Sequence, residues 1–250
     1  LKIFVTLDLT FRNILAESMN TTVLNNCHTS STDTSALKQV WENIDHYSCP
    51  YHYNFHLHTV CSDGQLTPEN LIMQAVNAGL KGLAITDHHS VRGFKRAKNC
   101  LEQKREEGTQ TSFPHLWSGI EITSDLNGTE VHILGYGFNP NHPQIKPYLT
   151  GDRPYGNDAK AHYVINRLQE AGGLVVLAHP QRYRRSPTEL IEEGVKLGID
   201  GVEAYYAYGN PKPWYPSVKE TKEVCQLADE YNLYTTCGTD SHGPNILHRI

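Results

Sequence analysis

Histidine and acidic residues close short apolar runs along the whole chain. His56-Leu57-His58 ends the run Tyr53-Asn54-Phe55, and Asp87-His88-His89 ends Gly82-Leu83-Ala84-Ile85-Thr86. Glu121 follows Trp117-Ser118-Gly119-Ile120, His132 follows Glu130-Val131, and His179 follows Leu174-Val175-Val176-Leu177-Ala178. Asp240-Ser241-His242 ends a run from Tyr234 to Thr239. Imidazoles suit zinc, iron and nickel, and they serve manganese where carboxylates share the site. Residues two apart in a strand face the same way. His56 and His58 can therefore address one ion, and Asp240 and His242 repeat that spacing. Glu121 can bridge two ions, one oxygen to each. Asp63 lies in the turn sequence Ser62-Asp63-Gly64, and Asp87 beside His88 offers a carboxylate able to orient a ligand. Singly, each has an ordinary explanation: a satisfied core histidine, a rim ion pair or a turn. Their recurrence at strand ends points to a shared metal centre.

The elements that must position these groups alternate. A strand through Phe55 precedes a helix opening at Thr67-Pro68-Glu69, where Thr67 suits the N-cap and Pro68 the first helical position. Gly79 can end that helix. A strand near Leu83–Thr86, a helix over Val91–Glu107, and strands over Leu116–Ile122 and Val131–Tyr136 follow. Asn127-Gly128 between the last two predicts a hairpin. Then come a helix over Asp158–Ala171, a strand at Leu174–Ala178, a helix at Pro187–Leu197, a strand at Gly201–Tyr206, a helix at Val218–Tyr231 and a strand at Leu233–Gly238. Alternating βα units imply parallel strands. The expected fold class is α/β, a distorted (β/α)7 barrel with a metal site at the C-terminal ends of the strands. Residues 49–250 form that barrel. Residues 1–48 are expected to be a partly flexible N-terminal extension, with a Thr/Ser/Asn-rich tether over Thr21–Ser35 and a short helix over Ser35–Asp45. No internal repeat is present.

Composition bounds the function. The chain has 250 residues, a formal net charge of −5 and 20% charged residues, so no global basic field exists to hold long duplex nucleic acid. No apolar run reaches the ~20 residues that span a bilayer, and Asp8 interrupts the apolar opening. The six cysteines form no CxxC pair and read as free thiols of a reducing, cytoplasmic setting. Cys61, close to Asp63, has no base beside it in sequence that would make it a nucleophile.

The motifs His56-Leu57-His58, Ser62-Asp63-Gly64, Ile85-Thr86-Asp87-His88, Gly119-Ile120-Glu121, Leu177-Ala178-His179-Pro180 and Gly238-Thr239-Asp240-Ser241-His242 resemble, in order, those of the PHP (polymerase and histidinol phosphatase) superfamily. The likeness covers roughly residues 52–244 and is greatest to its stand-alone phosphoesterases. It implies up to three divalent metals per chain, manganese first, with zinc or iron also compatible. His56, His58, Glu121 and Asp240 would hold one, Glu121, His132 and His179 a second, and Asp63, His88 and His242 a third. The implied activity is phosphoester hydrolysis by a metal-bridging hydroxide held at Glu121 and Asp240, with Asp87 in support. Metals ~3.5–4 Å apart suit that chemistry by activating water and clamping both reacting oxygens. The implied substrates are nucleotides, such as nucleoside 3′,5′-bisphosphates, or the 5′ ends of short RNA or DNA. Competing readings are a histidinol-phosphate phosphatase, a metal-dependent amidohydrolase and a non-catalytic polymerase-associated metal module. No lysine stands at a strand end to bridge metals, which counts against the amidohydrolase. For substrate binding, Arg182, Tyr183 and Arg185 follow His179-Pro180, offering guanidinium forks for phosphate and a ring for a base. Arg153 in a possible lid loop is a further candidate. His89 is read as a substrate-side or structural residue, and Tyr205, Tyr206 and Tyr208 as a pocket wall or core.

Overall fold

The structure, a computed structural model, describes residues 30–108 and 112–250. Most of the Thr21–Ser35 tether lies outside the described residues. The helix α1 (Thr34–Trp41) precedes β1 (Tyr53–Asn54), α2 (Pro68–Ala78), β2 (Gly82–Ala84), α3 (Arg92–Glu106), β3 (His115–Trp117), β4 (Gly119–Leu126) and β5 (Thr129–Tyr136). Then follow α4 (Ala161–Glu170), β6 (Leu174–Leu177), α5 (Pro187–Leu197), β7 (Gly201–Tyr205), α6 (Val218–Tyr231) and β8 (Tyr234–Cys237). Local chemistry sets the boundaries. The Thr67 side chain accepts from Asn70 N, Pro68 occupies the first turn of α2, and Gly79 ends it at φ 73°. Ser186 and Glu189 form a reciprocal capping box at the start of α5.

The fold is mixed α/β, but among the described residues the strands form two sheets and no closed barrel. Three parallel strands form the sheet β1-β2-β3, and five form the sheet β4-β5-β6-β7-β8. In the larger sheet β4-β5 and β5-β6 are antiparallel, while β6-β7 and β7-β8 are parallel. The hairpin at Asn127-Gly128 is what reverses the chain. The single strand expected over Leu116–Ile122 divides at Ser118. There the amide donates to Ser31 O at 3.0 Å and the hydroxyl donates to Phe138 O at 2.7 Å, so the backbone leaves one sheet and enters the other. Isolated bridges, Leu57 with Ser241 and His88 with Glu121, join the sheet edges around the site. The ladders cannot run on because His89 (φ 50°) and Asp240 (φ 53°) depart from extended geometry.

Residues 31–48 are built into the same compact unit as the rest of the chain to Ile250, not set apart from it. Leu37, Trp41 and Ile44 share one face of α1 and its exit and join a core cluster with Phe55, Trp117, Tyr136 and Val176. Trp41 meets Phe55 and Tyr136 edge-on, at 6.0 and 5.4 Å between ring centroids. Among the described residues no helix is long and apolar enough to cross a membrane, and the five cysteines there are free thiols.

Candidate metal centre

Four of the segments that border the site deliver their side chains just beyond regular pairing, but Glu121 and His132 stand inside the β4-β5 ladder, so Glu121 does not end a strand as expected. His56 and His58 leave β1 on one face, and Glu121 and His132 come from the paired strands β4 and β5. His179 (φ 28°) and Asp240 (φ 53°) sit in left-handed backbone directly after β6 and β8. Such positive φ is costly for a non-glycine residue and concentrates at functional sites. A Cβ at Gly238 would lie 2.2 Å from His56 Cβ, so only glycine allows the last strand this close to the first.

All nine residues named from the sequence converge. His56, His58, Glu121 and Asp240 form one fully buried set whose ligand-type atoms lie within 4.8 Å of one another. His56 Nε2 is 3.0 Å from Glu121 Oε2 and 3.3 Å from Asp240 Oδ1. His58 Nε2 is 3.1 and 3.2 Å from the same two oxygens. The other oxygen of Glu121 faces different histidines, His132 Nδ1 at 2.7 Å and His179 Nε2 at 3.4 Å. A further set gathers Asp63, His88, His242 and His58, with His242 Nε2 3.2 Å and His88 Nε2 3.7 Å from Asp63 Oδ2. Two details depart from the implied ligand sets. His58 belongs to two sets, and His88, 3.6 Å from Glu121 Oε2, also groups with Glu121 and His132.

The electrostatics are those of a cation site. Burial disfavours charge on Glu121 and Asp240, yet the surrounding imidazoles hold both carboxyls well below the usual range. Burial likewise opposes charge on His56, but Glu203, Glu121 and Asp240 lift its pKa well above normal. His88 is pushed down to about 4, chiefly by burial. Buried ring nitrogens of His58, His88 and His179 have no hydrogen-bond partner, and leaving such groups unpaired is expensive. Buried carboxylates and unpartnered imidazole nitrogens converging on common points fit divalent ions of the manganese, zinc or iron type.

A second layer holds these groups in place, and the sequence reading missed part of it. Buried Glu203, in β7, places Oε1 2.9 Å from His56 Nδ1 and accepts from His179 N at 3.0 Å. The sequence signal was a single acid inside the apolar run Gly-Val-Glu-Ala-Tyr. Arg249 was also missed: its Nε donates to Asp240 Oδ2 at 2.9 Å, beside the Tyr206 hydroxyl at 2.7 Å. Asp87 does not touch a histidine ligand. It accepts from Thr59 N at 2.7 Å and Ser62 Oγ at 2.8 Å, fixing the loop that carries Asp63. A Cβ at Gly93 would come within 1.9 Å of Asp87 Oδ2, so glycine there makes room for that carboxylate.

Of the residues read as substrate binders, the structure leaves one at the mouth. Arg182 is partly exposed and donates to Asp240 Oδ2 at 3.2 Å. Tyr183 instead turns inward. Its hydroxyl accepts from His132 N at 2.8 Å and lies 3.2 Å from His179 Nδ1, so it braces two of the candidate ligands. Arg185 is committed to Glu193 through two hydrogen bonds of 2.9 and 2.6 Å. Arg153 pairs with Glu130 on the β5 side of the hairpin. His89 is buried against Thr123, and Cys61 Sγ accepts from Arg96.

A sequence profile of the PHP domain matches residues 54–178, half of the chain, and the chain belongs to that family. A phosphoribosyl 1,2-cyclic phosphate 1,2-diphosphodiesterase of Eggerthella lenta is 30% identical over 180 residues, covering 71% of this chain and 64% of the relative. A 5′-3′ exoribonuclease of Haemophilus influenzae is 28% identical over 169 residues, covering 62% of this chain and 56% of the relative. The chain thus spans little more than half the length of that exoribonuclease. A Bifidobacterium adolescentis structure described as a metal-dependent phosphoesterase superposes with a TM-score of 0.62 at 24% identity, over 79% of this chain and 91% of the other. At that identity the likeness speaks to the fold.

Proposed function

We propose that this protein is a metal-dependent phosphoesterase that acts on nucleotides or on the 5′ ends of short RNA or DNA. The observation that carries this reading is the division of Glu121, whose two oxygens face two different histidine sets. Bound divalent ions would supply an activated water and positive charge for a phosphate oxygen. His56, His58, Glu121 and Asp240 would hold one, Glu121, His132 and His179 a second, and Asp63, His88 and His242 a third. The chain's own residues do the rest. Asp240 turns Oδ1 toward the histidines and keeps Oδ2 on Tyr206, Arg182 and Arg249. Its orientation is thereby fixed, and Arg182 is held at the mouth, where a second phosphate or a neighbouring nucleotide would meet it. The phosphodiesterase and exoribonuclease relatives support the nucleotide and RNA classes.

The test is a manganese-supplemented panel of 5′-phosphorylated RNA and DNA oligonucleotides, nucleoside 3′,5′-bisphosphates and histidinol phosphate. Nucleotide substrates should be preferred, and Asp240→Asn and His58→Ala should abolish turnover. Full activity in either variant would refute the site, and preference for histidinol phosphate would refute the substrate class.

A further inference from the structure

An open groove of about 240 Å³ lies beside the metal centre, lined by Thr123, Ser124, Asp125, Gly128, Glu130, Arg153 and Ala159. None of the nine metal-ligand residues lines it, yet it continues their surface. Side chains alternate along strands, so Glu121, Thr123 and Asp125 point one way from β4. Paired β5 sets Leu134, His132 and Glu130 opposite them. Going outward from Glu121 the same face therefore runs from ligands to groove in four residues, about 13 Å at strand rise.

The groove is built from the ligand-bearing backbone. His89 follows His88, is 5% exposed, and sets its Nε2 3.2 Å from the Thr123 hydroxyl on the groove floor. Its Nδ1 is buried without a partner. The His89 carbonyl accepts from Gly151 N at 3.0 Å, which ties down the loop carrying Arg153. Each charge in the groove is balanced, Glu130 by Arg153 and Asp125 by Lys160. A nearly neutral, hydroxyl- and carboxylate-lined trough suits an uncharged polar ligand, not a second phosphate. Glu130 and Arg153 are both well exposed, 60% and 64%, and such a pair contributes little, so either side chain is easily recruited.

We propose that this groove receives the ribonucleoside attached to the phosphate at the metals, with Glu130 accepting hydrogen bonds from ribose hydroxyls and Arg153 closing over it. A carboxylate is an acceptor-only group, and a 2′-hydroxyl is the donor that separates RNA from DNA. The inference rests on the phosphoesterase reading for its phosphate, but not for its nucleoside.

The experiment compares KM for a short 5′-phosphorylated RNA with that for the same DNA sequence, in wild type, Glu130→Gln and Arg153→Ala. RNA should bind better, and Glu130→Gln, which keeps an acceptor oxygen but loses the charge, should raise the RNA KM by up to about tenfold and narrow the difference from DNA. Equal KM values for RNA and DNA in wild type, or an unchanged RNA KM in both variants, would overturn the groove. Saturation-transfer NMR with adenosine and 2′-deoxyadenosine on the metal-free protein separates the two readings. If wild type hydrolyses neither oligonucleotides nor p-nitrophenyl phosphate, the phosphoesterase reading fails, and the groove is judged by this measurement alone. Transfer to adenosine that weakens in Glu130→Gln supports it, and no transfer to wild type overturns it.

Discussion

Replacing Glu203 by glutamine should damage the metal centre without touching a ligand. The wild-type carboxylate uses both oxygens as acceptors, facing His56 Nδ1 at 2.9 Å and His179 N at 3.0 Å. Glutamine keeps the shape but offers one acceptor and one donor group. If its oxygen serves His56, its NH₂ confronts the His179 amide, and two donors meet at about hydrogen-bond distance. The reverse placement takes the acceptor from the imidazole instead. Either arrangement leaves a buried group unsatisfied, at about 1–3 kcal/mol. In a chain of this size each kcal/mol lowers the melting temperature by about 2–4 °C. Loss of an orienting partner typically weakens metal binding about 10–100-fold, equivalent to about 1.4–2.7 kcal/mol. Chelator competition with manganese and with zinc measures the affinities of wild type and Glu203→Gln, and melts of the metal-free proteins measure the stability term. Affinities within twofold of wild type, together with an unchanged melt, would show that Glu203 does not position His56 or His179.

Three further outcomes are expected. Burial disfavours the charged form of His58, but the Asp240 and Glu121 carboxylates that face its Nε2 overcome it and raise the pKa from 6.5 to about 9. A pKa raised by folding adds stability that is complete below pH 6.5 and lost as pH climbs to about 9. The metal-free protein should therefore weaken across that window, and metal binding at pH 7.5 should release at least one proton. Calorimetry in buffers of different ionisation enthalpy reads that proton, and a release of zero contradicts the assignment. Arg182→Ala should raise KM for a phosphorylated substrate about tenfold, the worth of one ionic hydrogen bond, while Arg185→Ala, already paired to Glu193, should leave it within about twofold. Trp41→Ala should cost about 3–5 kcal/mol in a urea melt; a loss below about 1 kcal/mol would return α1 to the status of an appendage.

The nine candidate ligand positions that the structure gathers were legible because the signal lies in the chain's local order. Most apolar runs that stop at a histidine or acid lie at a strand end, while Glu121 and His132 sit inside their strands and still face the same site. What the sequence could not carry was direction. Tyr183 stands four residues after His179 whether it faces solvent or core, and only the packed structure turns its hydroxyl onto His132 N. Arg185 reads as a free cation until α5 brings Glu193 beneath it. Barrel closure depends on register between strands remote in sequence, so alternation predicted the βα units but not the two sheets. The division at Ser118 depends on Ser31 and Phe138, far away in the chain. Trp41 was readable as one side of a helix, but its partners Phe55 and Tyr136 were not.

The seam between the first and last ligand segments also imposes an order in time. Phe55 N donates to Cys237 O, Asp240 N to His56 O and His58 N to Ser241 O, while Asn54 binds Thr239 across 185 positions. A ribosome adding ~5–20 residues per second takes roughly 10–40 s to cross that interval. For all that time His56 and His58 exist without the carboxylate that completes their set. Any early product that stops short of Asp240 carries most of the histidines but not the finished centre. The emerging chain thus cannot make a complete centre for an ion before its last strand is in place.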